Sequence, residues 1–445
     1  MARERLSSRL GFILLSAGCA IGCGNVWKFP WMVGQNGGGA FVLVYLAFLV
    51  VLGLPALTME FALGRASQAS PVRMYQKLEN SGSKWHIHGY VCLLGNIFLM
   101  AFYTVVTGWL IYYFVSFVAG KSGELSFGKM ISNPKINVGY LFIAVALCFL
   151  ILTRNLQSGL ERITKYMMVL LLVLMTVLAV RSISLPGGAK GLSFYLVPDF
   201  NKLTVPFVVG AMNQAFFTLS LGIGAMSIFG SYIGKDRSLM GESVKFIILD
   251  TFVAVTAGLI IFPACASFGI AVDAGPSLLF NTMTTVFNNM GGGRVWGSLF
   301  FLFMVFAAFS TELAVCENIL ACVREMTGWS RKKGCVICGA GIFLIALTTA
   351  LGYSVLHFHP FGEGSAWLDF WDFIVSNNLL PLGALIFAVF SCSSRFGLGW
   401  EKLVQEANEG EGLKVKNWMK PIFAYFVPLC IIAIYIIGLA TFKWR

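Results

Sequence analysis

Apolar runs long enough to cross a membrane follow one another along the whole chain. A helix needs about 20 residues to cross roughly 30 Å of hydrocarbon. We find eleven such runs, at 10–35, 39–64, 88–119, 137–153, 160–183, 206–233, 242–272, 294–325, 334–353, 370–394 and 420–442. The runs are continuous and lack the alternation of lipid-facing and lumen-facing residues that marks barrel strands. The pattern therefore predicts an all-α polytopic membrane protein with 11 transmembrane helices.

Two of the predicted spans, the first and the sixth, are interrupted by glycine. The first contains GCAIGCGN over 18–25, and the sixth contains FTLSLGIG over 217–224. Gly18 and Gly22 alone would also suit close helix packing. Matching breaks that open two five-span halves indicate an inverted-repeat transporter with its site near the middle of the membrane. We expect a first repeat at 1–183, a second repeat at 206–394 and an additional helix at 420–442.

Breaking a helix inside the membrane frees backbone groups that must find partners, because lipid offers none. Freed carbonyl oxygens suit a small hard cation, and freed amides at the start of a half helix suit a carboxylate. A substrate that carries a carboxylate and binds beside a cation would satisfy both. The two breaks thus favour transport of a cation together with a carboxylate-bearing solute.

Composition and charge agree with a membrane location and predict the orientation. Hydrophobic residues make up 58% of the 445 residues, charged residues make up 12%, and the mean hydropathy is +0.80, which excludes an ordinary soluble domain. The net charge of +12 does not indicate a nucleic-acid partner, because Lys and Arg concentrate in alternate short loops. This bias predicts a cytoplasmic N-terminus and an outer C-terminus. The first run is too long for a cleaved signal peptide and merges into a second span.

Lys28, Glu60, Asp250, Glu312 and Glu317 all lie within predicted spans, where an unpaired charge costs several kcal/mol. Glu317 is interpreted as a helix-pairing residue, and Lys28 lies near enough to an outer end to reach the interface. Glu60 is expected to accept hydrogen bonds from amides of a broken helix. Asp250 and Glu312 lie far from the span ends, which favours a functional role.

Cysteine and histidine patterns do not indicate an enzyme. Most of the 11 Cys lie in apolar runs, where a free thiol behaves as a small hydrophobe. Cys335 and Cys338 form one C-x-x-C pair without a second ligand pair, so metal or redox chemistry is disfavoured. The 4 His lie in or beside loops, and the sequence holds no H-E-x-x-H motif. An intramembrane enzyme or receptor is therefore the weakest interpretation.

Several segments together resemble the neurotransmitter:sodium symporter family. They are Gly24-Asn25-Val26-Trp27-Lys28-Phe29-Pro30, Asn36-Gly37-Gly38-Gly39-Ala40-Phe41, Glu60 with Gly64-Arg65, Gln214-Ala215-Phe216-Phe217-Thr218-Leu219-Ser220 and Asp273-Ala274-Gly275-Pro276-Ser277. The resemblance extends over nearly all spans and is closest to bacterial eleven-span members that carry several hydrophobic amino acids with sodium. It implies a leucine-transporter-type fold, a 5+5 inverted repeat with broken helices 1 and 6.

The resemblance also implies two sodium sites made of oxygen atoms. The first would use the Ala20 carbonyl, Asn25, Thr218, Asp250 and the carboxylate of the substrate. The second would use the carbonyls of Gly18, Ile21 and Ala307 and the hydroxyls of Ser310 and Thr311. Both sets suit a hard cation. Apart from two co-transported sodium ions, no cofactor is expected.

For the substrate, the resemblance implies a pocket between spans 1, 3, 6 and 8. Its residues would be Ala20, Gly22, Gly24, Leu99, Tyr103, Phe217, Thr218, Ser220, Ile223 and Val315. Tyr103 would bond the carboxylate, and Phe217 would lie above it as a lid. Gly22 stands where amine-transporting relatives place an acid, which argues for a substrate with its own carboxylate. Ile223 replaces a bulkier aromatic residue, so side chains up to the size of indole are expected to fit.

The resemblance implies an inner and an outer gate as well. Arg3 with Glu325, and Ser231 with Tyr232, resemble the inner gate. Lys28 matches an outer-gate Arg, but Asn377 stands at the place of its acidic partner. Span 5 has Val169 where the family places a proline, ten residues after Gly159, which would alter inward release.

A further set of positions resembles the chloride pocket of animal relatives: Tyr45, Gln214, Thr218, Asp250 and Ala254. Asp250 replaces an amide there, so a protein carboxylate would supply the negative charge of the anion. Transport is then expected to be independent of chloride.

The sequence thus predicts a symporter of a bacterial plasma membrane that couples inward sodium movement to uptake of aliphatic and aromatic L-amino acids. Its partners would be the amino acid, sodium ions and the lipid bilayer. A proton-coupled or exchanging permease of the same fold is the alternative. Loss of uptake without sodium, at fixed pH, would separate the two.

Overall fold

The computed structural model describes residues 9–272 and 275–441, and within these ranges the regular secondary structure is helical. Nine continuous helices are long and apolar enough to span a membrane: Gly39–Ser67, His86–Val118, Pro134–Leu152, Gly159–Ile183, Leu239–Ser267, Gly293–Thr327, Arg331–Leu351, Trp367–Cys392 and Asn417–Thr441. They are numbered here spans 2, 3, 4, 5, 7, 8, 9, 10 and 11. Their ends agree with the predicted ends to within five residues.

Spans 1 and 6 are broken, as their glycines predict. Span 1 consists of Gly11–Ala20 and Gly24–Gln35, which meet at an angle of 55°. Span 6 consists of the helices Val205–Thr218 and Ala225–Gly230, with an unwound segment between them. The predicted fold class, an all-α membrane protein with two broken helices, is confirmed.

Short helices lie in the connections between the spans and never amount to a soluble domain. They are Pro71–Leu78, Ser122–Glu124, Phe127–Ile131, Gly188–Leu196, Phe200–Lys202, Thr284–Asn289 and Trp400–Ala407. The chemistry of the protein must therefore be sought among the spans.

Spans 3 and 8 form the centre of the bundle, since 78% of the apolar window of each is buried, against 28% for span 11. The outer spans leave large apolar side chains uncovered, among them Leu150 on span 4, Val336 on span 9 and Leu429 on span 11. Such surfaces suit hydrocarbon and not water. Both broken helices pack against this centre, which places their unwound segments in the interior.

Candidate functional site

The unwound segment of span 1 lies against the hydroxyl of Tyr103 on span 3. The Cys23 amide donates a hydrogen bond to Tyr103 Oη over 3.2 Å. A Cβ atom on Gly22 would overlap the same hydroxyl and would lie 2.5 Å from Thr311 Oγ1. Only glycine lets the backbone approach spans 3 and 8 so closely. Gly22, Tyr103 and Thr311 are thus brought together, as the resemblance implied.

The unwound segment of span 6 depends on backbone conformations that side chains disfavour. Gly222 has φ 100° and Gly224 has φ 71°, and Ser220 also lies in the left-handed region with φ 51°. The Gly222 amide donates to Glu60 Oε1 over 2.5 Å. The structure therefore places Glu60 where the sequence suggested, as a buried acceptor for an amide freed by the break.

Asn96 of span 3 also forms a hydrogen bond to the unwound segment of span 6. Its Nδ2 donates to the Ile223 carbonyl over 2.8 Å and to the Cys92 carbonyl over 2.7 Å. Sequence reasoning missed this residue. The available signal was an amide side chain in the middle of an otherwise apolar span.

Two side chains implied for the first sodium site, those of Asn25 and Thr218, bond a third, that of Asp250. Asn25 Nδ2 donates to Asp250 Oδ1 over 2.8 Å, and Thr218 Oγ1 donates to Asp250 Oδ2 over 3.1 Å. All three residues are buried. Asn25 Oδ1 is also buried and accepts no hydrogen bond from the described residues. A carboxylate bonded by two neutral groups and an amide oxygen without a donor form a set that suits a small hard cation.

Two further polar residues, Gln214 and Tyr45, lie next to these three. Gln214 Nε2 donates to the Gly24 carbonyl over 3.1 Å. Tyr45 is fully buried, and its phenol lies beside Thr218 and Asp250. Ala254 on span 7 is also buried and offers no hydroxyl. Asp250 is therefore the acidic residue among these neighbours.

The residues implied for the second sodium site also come together, between span 1 and span 8. Thr311 Oγ1 donates to the Gly18 carbonyl over 3.2 Å, and Ser310 Oγ donates to the Ala307 carbonyl over 3.0 Å. A Cβ atom on Gly18 would lie 3.3 Å from Ser310 Cβ. Ile21 is buried in the break itself. Two hydroxyls and freed carbonyls form a second oxygen-rich set.

The implied substrate residues lie on the two broken spans and on spans 3 and 8. A Cβ atom on Gly24 would lie 2.9 Å from the Phe217 ring, so the lid residue rests on span 1. Leu99, Ile223 and Val315 are apolar and all buried. Ala20 and Ser220 border the two breaks.

Lys28 lies above the lid, with Nζ 3.6 Å from the centre of the Phe217 ring. Both residues line a cavity of about 250 Å³, together with Asp372 and Asn377 of span 10. Asp372 acts electrostatically on Lys28 and accepts a hydrogen bond from Ser376 over 2.6 Å. Asn377, which stands where the family has the acidic partner of Lys28, lines this cavity beside it, and the outer gate stays a prediction. Asp372, five positions earlier, supplies the carboxylate, and the sequence signal was the acid in the first turns of span 10.

On the opposite side of the bundle, Glu325 binds the first turn of the helix Pro71–Leu78. The Ser70 amide donates to Glu325 Oε2 over 3.0 Å, and the Ser70 hydroxyl donates to the same atom over 2.6 Å. Ser231 and Tyr232 are buried after the second half of span 6. Arg3, the implied partner of Glu325, lies outside the described residues.

The other residues named in the sequence analysis are either buried in contacts between spans or exposed on the surface of a span. Arg331 binds Glu317 through two hydrogen bonds of 2.6 and 3.2 Å, which joins span 9 to span 8. Glu312 is buried and faces Thr107 of span 3. Val169 lies on an exposed face of span 5. Among the described residues, no group of three or more His, Cys, Asp or Glu side chains could hold a metal ion.

Two unwound segments at the centre of a helical membrane bundle, flanked by oxygen-rich sets, define a transporter with the leucine-transporter fold. The model of the Sodium:neurotransmitter symporter family matches residues 3–126 and 125–445. The chain therefore belongs to this family, whose members are transporters and not enzymes.

Similar proteins agree with this assignment along their whole length. An uncharacterized sodium-dependent transporter of Bacillus subtilis is 34% identical over 449 residues, which cover 98% of each chain. Another of Haemophilus influenzae is 32% identical, again over 98% of each chain. The crystal structure of MhsT in complex with L-phenylalanine superposes with a TM-score of 0.87 and 32% identity, covering 98% of this chain and 99% of that one.

Proposed function

We propose that this protein couples inward movement of sodium to uptake of hydrophobic L-amino acids by alternating access, without chloride. The observation that carries the proposal is the meeting of Asn25, Thr218 and Asp250 at the break of span 1. There, the carboxylate of Asp250 accepts hydrogen bonds from two neutral side chains, and the amide oxygen of Asn25 has no donor within the described part of the chain. A sodium ion placed among these oxygens would balance the buried negative charge.

The substrate carboxylate would complete this first site and bond the Tyr103 hydroxyl. Gly22 leaves room for it, because any side chain there would overlap Tyr103. The apolar side chain of the amino acid would then lie among Leu99, Ile223 and Val315, which are buried and carry no charge. MhsT, a structural neighbour, is known in complex with L-phenylalanine, which supports a hydrophobic amino acid as the substrate class.

Gly18, Ile21, Ala307, Ser310 and Thr311 would hold a second sodium ion. Because this set joins span 1 to span 8, losing the ion would loosen the inner half of span 1. Lys28 with Asp372 would close the outer side, and Glu325 would take part in closing the inner side. The five-span halves at 1–183 and 206–394 would rock against each other, with 420–442 outside the repeat and the N-terminus in the cytoplasm.

A counterflow assay in proteoliposomes tests the proposal. Liposomes loaded with unlabelled phenylalanine should accumulate labelled phenylalanine in sodium and not in potassium, at one fixed pH on both sides. Accumulation that persists without sodium would favour the proton-coupled or exchanging permease. Accumulation of no hydrophobic amino acid would remove the proposed substrate class.

A further inference from the structure

Spans 3 and 8 run antiparallel along each other in a register that several contacts define. The rings of Tyr113 and Phe301 lie 5.2 Å apart, and a Cβ atom on Gly297 would meet the Phe117 ring. Closer to the breaks, Tyr103 and Thr311 lie on either side of Gly22. Moving three or four residues toward the N-terminus of span 3 therefore corresponds to moving the same number of residues toward the C-terminus of span 8.

The same register places Leu99 opposite Val315 and, one turn further inward, Asn96 opposite Asn318. The next pair in this register, Cys92 and Cys322, agrees with it, because the two thiols are near enough for an electrostatic interaction. The two asparagines therefore lie between this pair and the pair Tyr103 and Thr311. They lie one helical turn beyond the apolar lining of the proposed substrate site.

Each of these two asparagines has an unused hydrogen-bonding group, although both side chains are buried. Asn96 is 1% exposed, and both of its amide hydrogens are used by the carbonyls of Ile223 and Cys92. This fixes the orientation of the amide, and Asn96 Oδ1 has no donor among the described residues. Asn318 is 0% exposed, and its Oδ1 accepts from Cys322 Sγ over 3.7 Å, whereas its Nδ2 has no acceptor within residues 9–272 and 275–441.

A buried acceptor and a buried donor that both lack partners are costly unless a bound group satisfies them. We propose that Asn96 and Asn318 form a polar floor of the substrate site that binds the side-chain hydroxyl of an aromatic amino acid. A phenol O–H would donate to Asn96 Oδ1 and accept from Asn318 Nδ2, which satisfies both groups at once. An indole N–H would satisfy Asn96 alone, and a phenyl ring would satisfy neither.

The length of the site agrees with this assignment. Seven residues separate Asn96 from Tyr103, which corresponds to about 10.5 Å along a helix. An aromatic amino acid with its carboxylate at Tyr103 and its ring pointing inward extends over a comparable distance. Asn96 binds the carbonyl of Ile223, one of the residues implied for the substrate site.

This inference rests on the proposed function. It makes the side-chain hydroxyl of the substrate the group by which the site distinguishes tyrosine from phenylalanine. Sites built to bond a substrate hydroxyl discriminate strongly against the analogue that lacks it, because their own polar groups are then left unpaired. We therefore expect tyrosine to bind about tenfold more tightly than phenylalanine. O-methyl-L-tyrosine, which keeps the oxygen and loses the donor, should bind more weakly than tyrosine.

The test is competition of L-tyrosine, L-phenylalanine and O-methyl-L-tyrosine against labelled substrate in the purified protein, with sodium present. Asn318→Leu is the main variant, because the one hydrogen bond of Asn318 is to a thiol. It should reduce the preference for tyrosine over phenylalanine to within about twofold while phenylalanine still binds. Asn96→Leu should do the same but also removes the bond to Ile223, and Asn378→Leu on span 10 is the control that should keep the preference.

The outcomes separate this inference from the proposed function. If phenylalanine binds with sodium but tyrosine binds no better, the floor is filled by water or by neighbouring groups, and the inference is overturned. An unchanged preference in Asn318→Leu overturns it as well. If no amino acid binds in sodium, the proposed function itself fails.

Discussion

Asn25 Nδ2 donates a hydrogen bond of 2.8 Å to Asp250 Oδ1 and so joins the broken helix of span 1 to the continuous helix of span 7. Asp250 is fully buried, and its other oxygen accepts from Thr218 on span 6. Three helices thus meet at one carboxylate whose observed donors are uncharged. A cation bound here would hold both broken helices against span 7, which gives sodium a direct influence on the site of the substrate.

Asn25→Ala removes the amide that bonds Asp250 and the free oxygen Oδ1 beside it. We expect the sodium concentration for half-maximal substrate binding to rise at least about tenfold, since a dehydrated cation loses one of its few ligands. Equilibrium binding of labelled substrate across a sodium titration measures this. Asn36→Ala, at the end of the outer half of span 1, is the control. An unchanged sodium dependence in Asn25→Ala would disprove the first-site assignment.

Gly22→Asp should abolish most uptake. Any Cβ at this position meets Tyr103 and Thr311, and the added carboxylate would repel the carboxylate of an amino-acid substrate. Gly139→Asp on span 4, where a Cβ meets nothing within 4 Å, is the matched control for the same change elsewhere in the bundle. Initial rates of uptake measure the effect, and wild-type rates in Gly22→Asp would show that the substrate carboxylate lies somewhere else.

Asp372→Asn and Lys28→Met should each speed the escape of bound substrate toward the outside by several-fold. Lys28 lies over the Phe217 lid and interacts with Asp372, so loss of either charge loosens the lid. The dissociation rate of labelled substrate measures this, and the double variant should be little faster than either single one. Asn377 lines the same cavity and carries no charge, so Asn377→Ala serves as the control. If substrate dissociated faster from Asn377→Ala but not from Asp372→Asn, then Asn377 and not Asp372 would be the residue that acts with Lys28 on the lid.

Replacing chloride with gluconate should leave uptake unchanged in the parent protein. In the proposed function, the carboxylate of Asp250, which lies beside Tyr45 and Thr218, supplies the negative charge that a bound anion would otherwise provide. Asp250→Asn removes this charge, and we expect uptake by that variant to become dependent on chloride. Uptake in matched chloride and gluconate buffers measures both effects. Chloride dependence in the parent would refute the idea.

Hydropathy and the glycines at the breaks were enough to predict a helical membrane bundle with two broken spans, because lipid demands helices of a fixed length, whereas the leucine-transporter-type fold followed from the family motifs. The family motifs placed Asn25, Thr218 and Asp250 in one site, and these residues do meet. Asp372 and Asn96 were missed for a common reason. Their roles depend on which faces of separate helices meet, and the sequence of a nearly uniformly apolar span does not specify its rotation or its register against a neighbour.

The central claim is that a sodium gradient alone drives accumulation of a hydrophobic amino acid. Proteoliposomes without internal sodium, clamped at zero membrane potential and equal pH, should concentrate labelled phenylalanine when sodium is added outside. The accumulation should vanish when external sodium is replaced by choline, and Asn25→Ala should show little of it. Accumulation that is driven by a pH gradient and is indifferent to sodium would contradict the account.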